Sequence, residues 1–114
     1  SFGRHAKSQK AKLSLQQAEK NLTEVKSKVY VEMRKAQNNF NLAKENYLTA
    51  IDNLKLAERI EKKNIIKFFE GVSGSFQLTQ AQQQLYQAQQ SKIQSMRAVI
   101  IEKTNLENIL NNKN

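Results

Sequence analysis

No cysteine and no proline occur in this chain of 114 residues, and glycine occurs only three times. The missing cysteines exclude a disulfide scaffold and any cysteine-ligated zinc site, and they leave the redox compartment open. The missing prolines and scarce glycines argue against a fold rich in strands or loops. Aromatic residues make up 7% and the mean hydropathy is −0.72, too little apolar bulk for a thick core. Thin helices touching along narrow stripes fit this composition. No run of 18 apolar residues is present, so no helix is expected to span a membrane. No signal pattern opens the sequence either. Neither absence extends to a longer parent protein.

Positive charge is plentiful, with a formal net charge of +9. It is uneven: residues 1–69 hold 15 Lys/Arg against 7 Asp/Glu, while residues 70–114 hold 4 against 3. A basic chain raises nucleic acid or an anionic membrane as a partner. Here the lysines spread over several helix faces and alternate with Glu19, Glu24, Glu32, Glu45, Glu58 and Glu61. A solvated helix surface accounts for that pattern, and no nucleic-acid partner is expected.

Heptad spacing is the main structural signal. Ala11, Leu15, Ala18, Leu22, Val25, Val29, Met33, Ala36, Phe40, Ala43, Tyr47, Ala50, Leu54 and Ala57 follow one another at steps of three or four. The 13 steps cover 46 residues, a mean near 3.5. That is a coiled-coil seam with one stutter, between Val29 and Met33. Its alanines let helix axes approach closely. Leu13, Tyr30, Val31, Leu42, Leu48, Ile51, Leu56, Ile60, Ile65 and Ile66 form a second set beside it. Two stripes suggest helices that touch neighbours on two sides.

The first helix is expected over residues 3–69, a turn over 70–75, a second helix over 76–110 and a frayed tail over 111–114. Gly71 and Gly74 supply the turn, and both are expected to offer positive φ. Ser73 or Ser75 is expected to cap the second helix. Its seam is read as Leu78, Ala81, Leu85, Ala88, Met96, Val99, Leu106 and Leu110. The fold class is therefore all-α: a long antiparallel coiled-coil hairpin of unequal limbs. About 30 residues at the N-terminal end lack an antiparallel partner within the chain. The exposed Leu13, Leu15, Leu22 and Val25 need one from elsewhere, so the chain is a piece of something larger or an oligomer.

Nothing points to catalysis. His5 and Asp52 are each the single residue of their type, and no nucleophile–base pair, phosphate-binding loop or metal spacing occurs. No cofactor and no metal site are expected. The glutamines Gln77, Gln80, Gln82, Gln83, Gln84, Gln87, Gln89, Gln90 and Gln94 are more distinctive. They read as ordinary helix surface or as a neutral polar face turned to water or to another protein.

Around the turn, Lys67-Phe68, Gly71, Phe76-Gln77-Leu78-Thr79-Gln80, Ala81-Gln82 and Leu85 resemble the TolC-type outer-membrane efflux proteins. Ser1-Phe2-Gly3-Arg4 with Ala6 and Ala11 resembles that family's passage from its last barrel strand into the long helix, and Leu106–Leu110 the end of its final repeat. The resemblance covers nearly the whole chain. It implies the helical part of the second repeat of a homotrimeric channel. Such a channel has an outer-membrane β-barrel and a periplasmic α-barrel, and works with a periplasmic adaptor and an inner-membrane pump. Gly71, Val72, Ser73, Gly74, Ser75 and Phe76 would be the adaptor-contacting tip, and Gln77 and Gln80 the channel-entrance positions. This segment would lie in the periplasm.

The sequence departs from the family where gating is concerned. Carboxylates ring the entrance in the best-known members at the positions of Gln77 and Gln80. Amides neither repel one another nor hold cations as carboxylates do. Phe68 and Ser73 stand where those members' closing network has a tyrosine and an arginine. Two other readings remain beside the channel. One is the α-hairpin of a periplasmic adaptor, whose limbs are usually close in length. The other is a self-contained coiled-coil interaction protein.

Overall fold

The computed structural model describes residues 2–112. Among them are two helices and no strand: α1, Phe2–Phe69, and α2, Ser75–Asn111. These bounds extend the expected second helix by one residue at each end, taking in Ser75 and Asn111. Lys113 and Asn114, at the end of the tail expected to fray, lie outside the described residues, as does Ser1. Among the described residues no helix is long and apolar enough to cross a membrane.

Two compact units divide at Lys35/Ala36. Residues 2–35 form a single stretch of α1 in which every side chain is exposed except those of Val29 and Met33, which are partly covered. Its apolar seam positions, Leu15, Leu22 and Val25, stand in solvent. Propensity favours helix here, because Ala, Leu, Lys, Gln and Glu dominate. Local side-chain bonds add a little: Gln17 Nε2 donates to Asn21 Oδ1 at 3.3 Å, and Thr23 Oγ1 donates to the Glu19 carbonyl at 3.0 Å.

The second unit is the hairpin proper. Its core is small: Ala36, Ala43, Ala50 and Ala57 on α1 with Ala81 on α2 are the buried residues. The four α1 alanines fall seven residues apart, as the heptad reading expects. Between them Phe40, Tyr47 and Leu54 are half-buried. Small residues in the line and larger ones beside it bring the two helices close while the bulk packs to one side. Tyr47 and Leu54 share a surface groove with Gln89, Gln90, Ile93 and Met96, as antiparallel pairing about the turn requires.

The seam of α2 differs from expectation in its distal half. Met96 and Leu110 are 41% and 42% exposed. The seam runs through the half-buried Leu78, Leu85, Ala88, Lys92, Ser95, Val99, Glu102, Leu106 and Ile109, with Ala81 buried and Ala98 half-buried beside it. Steps of three and four thus run unbroken through Lys92, Ser95 and Glu102. The seam follows geometry even where the residues are polar. Ser95 satisfies its hydroxyl locally, donating to the Lys92 carbonyl at 3.0 Å. Asn64, on the alanine line of α1, donates to the Ile60 carbonyl at 2.8 Å. Polar side chains at such positions are tolerated because their donors find partners on their own helix.

Candidate functional site: the hairpin tip

The sequence places its candidate residues at the turn, and the structure gives that turn a defined geometry. The chain leaves α1 through a Schellman ending. Gly71 N–H donates to the Phe68 carbonyl at 3.1 Å, and Val72 N–H donates to the Lys67 carbonyl at 2.9 Å. Ser73 N–H also reaches the Lys67 carbonyl, at 3.3 Å. These bonds occupy carbonyls that the end of a helix would otherwise leave free. Gly71 sits at the left-handed position with φ of +74°, where a side chain costs conformational energy. Lys67 lies in the last turn of α1, where a cation complements the helix dipole.

Gly74 plays a different part from the one expected. Its φ is −86° and its ψ is 177°, ordinary extended backbone. It is the N-cap of α2 and has no side chain with which to cap. Neither Ser73 nor Ser75 replaces it. Ser75 is the first residue of the helix, and the Ser73 hydroxyl oxygen is enclosed without a hydrogen-bond partner. The first turn of α2 also holds no acidic residue. The tip is therefore fastened from the α1 side and only lightly held on the α2 side.

The surface of the tip is apolar. Phe69, Val72 and Phe76 are 81%, 70% and 73% exposed. Phe68 packs edge-on against Phe69, with ring centroids 5.7 Å apart at 75°. Four large apolar residues thus gather within nine positions of the chain at its sharpest bend. Lone exposed apolar side chains are common on proteins; here several cluster at the apex.

Gln77 and Gln80 are both exposed. Gln80, Gln87 and Gln94 recur every seven residues along one flank of the α2 seam. Tyr86, Ile93 and Ile100 recur every seven along another, all exposed. Large apolar groups on the uncovered surface of α2 are thus interspersed with amides. Thr79, Gln82, Gln83, Tyr86 and Gln87 border a shallow hollow. The sequence analysis missed the exposed line of Tyr86, Ile93 and Ile100. The seven-residue spacing that marks the seam would have revealed it had it been applied to the positions flanking the seam.

No cluster of His, Cys, Asp or Glu able to hold a metal occurs among the described residues. Among the described residues ion pairing is sparse and weak: Lys103 and Glu107 approach to 3.9 Å while more than half exposed, a geometry worth little in water. Lys44 lies over the Phe40 ring at 4.5 Å, covering part of that side chain. No protein-family model, no curated protein and no solved structure matches the chain.

Proposed function

We propose that this chain is the periplasmic helical segment of a trimeric outer-membrane efflux or secretion channel of the TolC type, with its tip docking on the adaptor of a tripartite pump. It carries no catalytic role in this reading. The observation that carries the proposal is the apolar tip. Phe69, Val72 and Phe76 stand in solvent around a backbone held by three hydrogen bonds. A tip built to meet another hairpin end-on needs that combination of fixed backbone and uncovered apolar groups. The exposed line of Tyr86, Ile93 and Ile100 on α2 also suits a helix in a wall, where it would meet a neighbouring helix. With amides at Gln77 and Gln80, entrance gating here works without carboxylate repulsion.

Fractionation of cells making the protein tests this, with an antibody raised against the hairpin. Recovery in the outer membrane as a trimer supports the channel. Recovery as an inner-membrane-anchored periplasmic protein makes it the adaptor, although the 68 and 37 residues of α1 and α2 fit unequal limbs poorly to that role. Recovery away from both membranes leaves a coiled-coil interaction protein. A photo-crosslinker in place of Val72 then reads the docking itself: capture of an adaptor hairpin is expected, and Phe76→Asp should abolish it.

A further inference from the structure

The heptad line of α1 does not stop where α2 stops covering it. Leu15, Leu22 and Val29 continue the seven-residue spacing of Ala36, Ala43, Ala50 and Ala57 toward the N-terminal end. The residue type changes along the line. It is alanine where α2 packs and leucine or valine in residues 2–35, where Leu15 and Leu22 are 60% and 55% exposed. Ala11, Ala18 and Val25 complete the seam there at the alternate positions. The result is a two-residue-per-heptad stripe, the width that a single partner helix covers. A membrane surface calls for a broader apolar face with bulky aromatic groups.

Charge narrows the partner further. Residues 2–35 hold nine Lys/Arg and three Asp/Glu, a net of +6. At the positions flanking the stripe stand Lys12, Glu19, Lys26 and Lys28 beside the neutral Ser14 and Asn21. An antiparallel second copy centred on this face would set Lys12 against Lys26 and Glu19 against Glu19, bringing like charges together. We infer that residues 11–29 of α1 form a docking face for an acidic helix, one with an apolar heptad seam flanked by glutamates or aspartates. Seam burial supplies the attraction, and the flanking lysines select the sign of the partner. This holds whether or not the chain belongs to an efflux channel.

The test uses the full chain and two synthetic helical peptides of about four heptads. They share one Leu/Ala seam and differ in flanking residues, all Glu in one and all Lys in the other. Each is made in both chain directions and held helical by side-chain lactams. Fluorescence anisotropy at low salt should show the Glu peptide binding at least about tenfold more tightly than the Lys peptide, from several flanking pairs changing sign together. Leu15→Asp with Leu22→Asp should abolish binding. Lys12→Glu, Lys26→Glu and Lys28→Glu together should reverse the preference, and circular dichroism checks that each variant stays helical. Equal binding of the two peptides, or binding of neither, overturns the inference. So does dimerisation of the chain alone in sedimentation, which assigns the face to a second copy. Binding to phosphatidylserine vesicles but to neither peptide assigns it to a membrane and overturns it as well.

Discussion

Replacing Gly71 by L-alanine should destabilise the hairpin, and replacing it by D-alanine should not. The backbone there has φ of +74°, a region that costs an L-residue about 1–2 kcal/mol. Steric contact adds nothing, because a Cβ built on Gly71 meets no atom within 4 Å. Alanine also narrows the unfolded ensemble, which offsets about 0.4–1 kcal/mol of the loss. The net cost of Gly71→Ala is then about 1 kcal/mol. For a cooperative unit of this size that lowers the Tm by about 4–8 °C. The D-residue makes the test sharper. L- and D-alanine restrict the unfolded chain equally, so the difference between them reports the handedness of position 71 alone. The protein can be assembled from synthetic segments with either residue and melted while circular dichroism at 222 nm is followed. The L form should melt lower than the D form by the full left-handed cost, about 1–2 kcal/mol. Equal melting of the two would refute the Schellman ending as the lock on the turn.

Three further substitutions probe the rest of the hairpin. Gly74→Asp should stabilise it by about 0.5–1 kcal/mol, read by urea denaturation, because it gives α2 the cap and the first-turn negative charge that it lacks. The Gln77 Oε1, 3.4 Å from the new Cβ, belongs to a flexible side chain and can rotate away. Ala50→Leu should destabilise by about 1–3 kcal/mol, because α2 leaves no room for the added volume at a position 7% exposed; an unchanged Tm would mean the helices are not closely apposed there. Glu102→Leu should raise stability by about 1 kcal/mol through partial burial of an apolar side chain, with Asn105→Leu, at an exposed position, as the control expected to do little.

The α1 seam was legible because its residue types and its geometry agree. Ala36, Ala43, Ala50 and Ala57 are both small and evenly spaced, and all four are buried. The α2 seam was legible without a gap as far as Ala88, and beyond it at Val99 and Leu106. Elsewhere in that half the apolar Met96 and Leu110 drew the reading off the line, while the positions it missed hold Lys92, Ser95, Glu102 and Ile109. Extending the three-four steps without regard to residue type finds them. Position decides burial in so narrow a contact, and long side chains such as Lys92 reach solvent from a half-covered site. At the tip, composition located the turn, but two glycines three positions apart looked alike in sequence and do different things. Hydrogen bonds back to α1 force Gly71 into the left-handed region, and Gly74 merely begins α2. The apolar tip residues could be named from the sequence; their joint exposure depends on how the bend turns them.

The pairing of two helices through one tight turn also sets how the unit responds to force. Every cross-helix contact in it joins residues at nearly equal distance from Gly71. Contacts near the tip close short loops, and each one further out closes a loop only slightly longer than the last. Pulled apart at the open end, such a hairpin peels: load falls on one pair of contacts at a time, from Ile109 and Leu106 inward through the weak polar stretch of Glu102, Ser95 and Lys92. Pushed along its axis, it loads all of the alanine contacts together. The hairpin is therefore soft to separation and stiff to compression, the mechanical character of a strut.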